Sequence, residues 1–208
     1  EVDQETLAAA ILFESVHFAE LSIDDVEEQL GSNIARLVKG VEKMSAIHNF
    51  QSFNKYPQNK HQIDNVRKML LAMVDDVRVV LIKLAERLCV LRSLAPMAPE
   101  LSRKIATEAM EIYAPLANRL GIGAIKWEME DLAFRYLHPD EYKAIAKGLK
   151  AKRLDRDRYV NLIVDELNQH MTSMNIKHFA VYGRSKHIHS IYRKMKRKNV
   201  ALDEIYDA

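Results

Sequence analysis

The sequence predicts a mainly α-helical chain with a short α/β unit beginning near residue 176. Three observations predict it. The stretch Val77–Leu94, VRVVLIKLAERLCVLRSL, is apolar nearly all the way round at helical spacing, the pattern of a buried helix. Six Gly and five Pro in 208 residues leave little material for turns, so long helices and short connections are expected. Only after Ile176 does the pattern change. Lys177–Gly183, KHFAVYG, holds β-branched and aromatic residues, ends in Gly and reads as a strand.

In chain order, residues 3–18 read as a helix with Asp3 as N-cap and Leu7, Ala10, Ile11, Glu14 and Phe18 on one face. The chain opens almost directly on this apolar helix, so further elements of the domain are expected to precede it. Ser22–Leu30 is a second helix, begun by Ser22 and Asp25 as an imperfect capping box and closed by Gly31. Asn33–Ile47 places Ile34, Leu37, Val38, Val41 and Met44 on one side of a third. Residues 48–60 have no period and read as an exposed loop, and His61–Asp76 as an amphipathic helix leading into the central one.

Pro96 and Pro99 mark the next connection. Glu100–Leu120 is a long helix containing Pro115, which predicts a kink near Glu111–Tyr113. Gly121 and Gly123 end it. Lys126–Leu137, Tyr142–Leu149 and Asp155–Met174 complete the helical part, with Pro139 as a stop. Beyond 176, Ser185–Asn199 reads as a helix and Leu202–Tyr206 as a second strand, so the α/β unit does not close a sheet by residue 208. There is no internal repeat and no low-complexity segment.

Hydrophobic content of 48% is ample for a core, and 29% charged residues with a net charge of +2 point to no particular partner. The single Cys89, in an apolar helix, reads as a reduced, buried thiol of a cytoplasmic protein. No signal peptide and no apolar run long enough to span a bilayer is found, so no membrane partner is expected.

Two groups of residues carry chemistry. The central helix contains Lys83, Glu86 and Arg87, and buried charges of this kind are either an internal ion-pair set or the remains of a site. From Lys177 to Lys198 the sequence has eight Lys or Arg and no Asp or Glu. Arg184 and Lys186 fall at a helix start, with Ser190 and Lys194 on the following turns of one face. Helix N-terminal N–H groups and clustered cations suit polyphosphate. A solvated basic face and nonspecific nucleic-acid binding are the other readings. Asp207 adds a carboxylate where a magnesium–nucleotide complex would be held. Glu14 and His17 form a carboxylate–imidazole pair at i, i+3, which recurs in di-metal bundles and also as a plain surface or core pair.

Taken together, Tyr182–Met195, YGRSKHIHSIYRKM, resembles the opening of the synthetase domain of the RelA/SpoT alarmone enzymes. Asp203–Asp207, DEIYD, resembles the strand bearing its magnesium ligand. Tyr113–Ile122 and Lys126–Glu128 resemble the helical linker region, and Asn65–Met73 and Leu81–Arg87 the hydrolase domain. The likeness runs along essentially the whole chain and is strongest to the monofunctional RelA type. It implies an HD-type all-α domain over residues 1–121, a helical linker over 122–175, and the start, strand–helix–strand, of a nucleotidyltransferase-like synthetase domain over 176–208. The implied activity is transfer of the β,γ-pyrophosphate of ATP to the 3′-hydroxyl of GTP or GDP. Arg184, Lys186, Ser190 and Lys194 would hold ATP phosphates and Asp207 would bind Mg²⁺; the ribosome is a further implied partner.

This sequence departs from the family at several positions. Ser185 stands where the family has Pro, and His189 where it has Tyr. In the hydrolase half, the metal-binding His-Asp and Glu-Asp pairs align with Phe13, Glu14, His17 and Phe18. The Asp, Arg and His-Asn of the central helix have become Glu86, Arg87, Cys89 and Val90. The resemblance therefore implies an inactive, regulatory hydrolase domain without manganese. An active manganese-dependent (p)ppGpp hydrolase and a non-catalytic interaction module are the rival readings. Phe13 is expected to fill the former cleft against the central helix. Glu14 and Glu86 are expected to pair with Lys83, Arg87 or Arg67.

Overall fold

The computed structural model describes residues 2–18, 20–50, 76–150, 153–184 and 186–205. Ten α-helices lie among the described residues: α1 Gln4–His17, α2 Ile23–Leu30, α3 Ser32–Phe50, α4 Val77–Arg92, α5 Pro99–Glu108, α6 Ala114–Arg119, α7 Gly123–Leu137, α8 Pro139–Lys150, α9 Arg153–Ser173 and α10 Ile188–Lys198. The chain forms two compact units, residues 1–129 and 130–208.

Local chemistry sets most helix ends. Asp3 Oδ1 accepts the Thr6 N–H at 2.8 Å and starts α1. At α2 the capping box is complete, with Asp25 in the role usually taken by Glu: the Asp25 N–H donates to Ser22 Oγ at 3.0 Å, and the Ser22 N–H to Asp25 Oδ2 at 3.1 Å. Pro99 and Pro139 occupy the first position of α5 and α8, where a missing N–H costs no helical bond. Between α5 and α6 the helix widens into a π segment, Ala109–Tyr113, closed by the Ala114 N–H donating to Ala109 C=O. Pro115 lacks the N–H that Glu111 would receive, so the expected disturbance falls one turn before it. At Gly121, with φ of +74°, the Ile122 N–H bonds back to Ala117 C=O at 2.9 Å and ends α6. Gly123, expected to end this helix with Gly121, instead begins α7.

In the first unit α3 packs on α1, α2 and α4. Ala9, Phe13 and Val16 of α1, Val26 of α2, Leu37, Val38 and Val41 of α3, and Val79 and Ile82 of α4 form one core cluster. Gly40 lets α3 and α4 approach: a Cβ there would stand 2.7 Å from Val79 Cγ2. Two sequence expectations are corrected. The face of α1 carrying Leu7, Ile11, Glu14 and Phe18 is exposed; Ile11 is 77% and Phe18 70% accessible. The segment LAAAILF is apolar on more than one face, and the smaller side, with Thr6 and Ala9, is the one that seats on the core. The central helix is not buried all round either: Val77, Ala85, Cys89 and Arg92 face out, so the lone thiol is exposed.

In the second unit α8 packs on α10, and Phe134 of α7 is wholly buried among the rings of His138, Tyr142, His189 and Tyr192. Neither expected strand forms among the described residues. Residues 177–183 lack regular structure, and Leu202–Glu204 is a single 3-10 turn. A strand is held by the ladder of a neighbour, and no partner ladder lies among the described residues. Gly183 instead approaches α9, where a Cβ would meet Val160 Cγ1 at 2.5 Å and Val164 Cγ2 at 2.7 Å. The expected 48–60 loop is helical as far as Phe50. Its remainder, residues 61–75 of the helix expected over His61–Asp76, Arg67 among them, and Ser185, Tyr206 and Asp207 lie outside the described residues.

Candidate functional site

The first group of chemistry-bearing residues is built on α4. The side chains at 83, 86 and 87 lie within about one turn of each other and point toward the interior. Lys83 is 3% accessible, and its Nζ stands 3.0 Å from Glu86 Oε2. Lys83 Nζ also donates to Ser45 Oγ of α3 at 2.9 Å, and Ser45 Oγ donates to Val41 C=O at 3.0 Å. Arg87 Nε lies 3.3 Å from the same Glu86 oxygen, and Arg87 Nη1 4.0 Å from Glu108 Oε2. The Arg87 guanidinium covers the Tyr113 ring, 5.3 Å from its centroid. Two cations and two carboxylates thus share a largely dry space.

The electrostatics follow from that burial. Desolvation pushes the Lys83 ammonium below its ordinary value, with Glu86 pulling back and Arg87 adding to the drop. Burial also pulls Arg87 down, but Tyr113, Glu86 and Glu108 outweigh it and hold the guanidinium above its usual range. Burial raises the Tyr113 phenol to about 12, against the pull of Arg87. Glu86 Oε2 and Arg87 Nε make their ion pair without a well-aligned hydrogen bond. Sequence reading found Lys83, Glu86 and Arg87 but not Ser45, Glu108 or Tyr113. A signal existed: Glu108 sits in the apolar register of Ala106, Ala109 and Ile112.

The other aligned positions do not converge on this group. Phe13 is buried in the core cluster with Val79 and Ile82 of α4. Glu14 and His17 are exposed, and the His17 ring meets Phe18 edge-on at 5.4 Å. An exposed Glu14 needs no cationic partner, contrary to expectation. Among the described residues no three His, Cys, Asp or Glu side chains are placed to hold a metal ion.

The second group is built on α10. Lys186, Ser190 and Lys194 line one cavity of about 450 Å³, together with Tyr192, Arg193, Lys196 and Arg197. Lys196 Nζ lies 5.6 Å over the Tyr192 ring. Spacing of three to four residues places 190, 193, 194 and 197 along one side of the helix. Arg184 lines a different groove, of about 320 Å³, with Tyr182, Gly183 and the apolar side of α9. Asp207 lies outside the described residues.

One element of this site differs from the sequence expectation. The first N–H groups of α10, expected to face an anion, are already satisfied. The Ile188 N–H donates to Asp131 Oδ2 at 3.2 Å and the His189 N–H to Asp131 Oδ1 at 2.8 Å. His187 Nδ1 is 3.3 Å from Asp131 Oδ2, and His189 Nδ1 is 3.7 Å from Glu130 Oε2. The polar side chains of the cavity, rather than the helix end, are what it offers an anion. Asp131 went unnoticed because nothing in the local sequence ties it to a helix N-terminus 57 residues on.

Comparison with known proteins identifies relatives of the chain. The HD domain family model matches residues 1–123. The chain is 50% identical over 207 residues to a GTP pyrophosphokinase of Escherichia coli strain K12, covering 99% of this chain and 28% of that protein. It is 49% identical over 206 residues to a GTP pyrophosphokinase of Photobacterium angustum, with the same coverage of 99% and 28%. It is 42% identical over 205 residues to a probable guanosine-3′,5′-bis(diphosphate) 3′-pyrophosphohydrolase of Synechocystis, covering 99% of this chain and 26% of that protein. The chain thus spans under a third of the length of these relatives. A family model over residues 1–123 and relatives that match this chain along nearly its whole length lead to one conclusion: the chain belongs to the HD domain family and is similar to GTP pyrophosphokinases of the RelA/SpoT group.

Proposed function

We propose that this chain is part of a GTP pyrophosphokinase and carries its ATP-phosphate cradle on α10, while its HD domain serves a regulatory rather than a hydrolytic role. The observation that carries the reading is the convergence of Lys186, Ser190 and Lys194 on one cation-lined cavity. In the reaction, the 3′-oxygen of GTP or GDP bonds to the β-phosphorus of ATP, the bond to the α-phosphate bridge breaks, and AMP leaves. Such transfers depend on positioning and charge neutralisation, which lysines at the phosphates and a serine hydroxyl supply. Arg184 would join them from its neighbouring groove. Magnesium, held through Asp207 in this reading, would add charge neutralisation.

For the HD domain, the donor set does not suit a metal of the manganese class. Phe13 offers no ligand and is committed to the core, and Glu86 is held by Lys83 and Arg87. Glu14 and His17 face outward, away from the interior group around Glu86. No hydrolytic step is therefore assigned to it. Lys186→Ala in the full-length protein should remove most of the synthetase rate, since a charge-assisted contact to phosphate is worth about 1.5–3 kcal/mol. Wild-type turnover in that variant would reduce α10 to a solvated basic face. This chain alone, given GTP and Mg-ATP, should form no pppGpp; measurable product would refute that part. Stoichiometric manganese by elemental analysis, with ppGpp hydrolysis, would favour the active hydrolase instead.

A further inference from the structure

The basic helix takes its position from α7. His187, the residue preceding α10, makes no side-chain cap of its own. Asp131 supplies the cap from another element, one carboxylate oxygen to each of the N–H groups of Ile188 and His189. One turn further along α7, Phe134 is 4.5 Å from Tyr192 and 5.4 Å from His189, ring centre to ring centre. The carboxylate thus holds α10 along its axis, and the rings resist its rotation. Slipping α10 by one residue would move it about 1.5 Å and turn it about 100°. Ser190 and Lys194 would then no longer face the cavity they share with Lys186.

We propose that Asp131 is a positioning residue for the phosphate cradle: it fixes the register of α10 so that Lys186, Ser190 and Lys194 converge. The proposal rests on the reading of that cavity as a polyphosphate site. Asp131 is not among the residues lining the cavity, and its negative charge opposes an anion nearby. The two effects therefore have opposite signs. If charge alone mattered, removing the carboxylate would tighten anion binding; if position matters, removing it weakens binding.

The test is calorimetric titration of this chain with inorganic tripolyphosphate at low salt, for wild type, Asp131→Ala, Asp131→Asn and Asp131→Glu. An asparagine oxygen caps helices about as well as aspartate, so Asp131→Asn should bind as wild type or more tightly. Asp131→Ala should bind about tenfold more weakly, the effect of a lost N-cap. Asp131→Glu keeps the charge but displaces the cap by one methylene, and should also bind more weakly. Equal or tighter binding by Asp131→Ala, weaker binding by Asp131→Asn to the same degree as Asp131→Ala, or unchanged binding by Asp131→Glu would overturn the proposal. So would loss of helical circular dichroism in Asp131→Ala, which would make the residue structural. The underlying reading fails separately, if wild type does not bind tripolyphosphate or if Lys186→Ala and Lys194→Ala leave binding unchanged.

Discussion

Lys83 and Glu86, one turn apart on α4, meet at 3.0 Å where the lysine is only 3% accessible. Burial pushes an ammonium so placed below its ordinary pKa, and Glu86 pulls it back while the Ser45 hydroxyl accepts from it. The same Glu86 oxygen faces Arg87, so one carboxylate serves two cations. A buried ion group of this kind carries a large desolvation penalty, and its parts depend on one another.

Removing one partner is therefore expected to do more harm than removing both. Glu86→Ala should destabilise the chain by about 3 kcal/mol, because it leaves two cations without their shared carboxylate. Replacing Lys83 by Met and Glu86 by Leu together should fall well short of that. Urea midpoints of the three proteins decide the matter. A double variant as unstable as the single one would show that the pair is not the unit of stability.

Phe13 is buried in the core of the first unit. Phe13→Ala should cost about 3–5 kcal/mol, the range for a buried aromatic. Phe13→His with Glu14→Asp should also destabilise and should bring no ppGpp hydrolysis, since His17 and Cys89 remain exposed and Glu86 remains ion-paired. Thermal melts and a hydrolysis assay on the two variants check this. Hydrolysis by the double variant would contradict it.

At Gly40 two effects compete. Alanine is favoured over glycine in a helix interior by about 1 kcal/mol. Its Cβ, however, would meet the stiff β-branched Val79 at 2.7 Å, and overpacking costs about 1–3 kcal/mol. Overpacking should win, so Gly40→Ala lowers the denaturation midpoint. Adding Val79→Ala gives the new methyl room, so its effect in the Gly40→Ala background should be smaller than in wild type. A simple sum of the two single effects in a double-mutant cycle would refute the close contact.

Acid should loosen the helix starts first. Hydrogen bonds from Thr6 hold Asp3 below its ordinary value of 3.8, those from Ser22 do so for Asp25, and those from Arg78 for Asp76. A depressed carboxylate contributes stability above its unfolded pKa and loses it as pH falls through the folded value. Stability should therefore decline below about pH 4. Asp3→Asn and Asp76→Asn should flatten that decline in urea melts run across the acid range. Arg78 ties the starts of α1 and α4 together, reaching Asp76 at 2.7 Å, Glu5 at 3.0 Å and Asp3 at 3.2 Å. An unchanged acid slope in the variants would show that other carboxylates govern it.

Most helices were legible in the sequence because their ends are local chemistry. Asp3, Ser22 with Asp25, Pro99, Pro115 and Gly121 act within a few residues of themselves, so spacing alone locates the caps, the disturbed turn and the stop. The polar set Lys83, Glu86 and Arg87 and the basic run to Lys198 were equally visible, since an apolar helix makes its charged members conspicuous. What tertiary structure decided was which of several local options is used. Leu7 and Ile11 are as apolar as Phe13, and only packing against α3 and α4 puts Phe13 inside and leaves the other two exposed. Cys89 faces out because α4 buries one side, not its whole circumference. A strand at 177–183 depends on a partner ladder, which local propensity cannot supply. The cap of α10 comes from Asp131, far away in sequence, because a backbone N–H donates to any well-placed oxygen and the fold alone determines which one arrives.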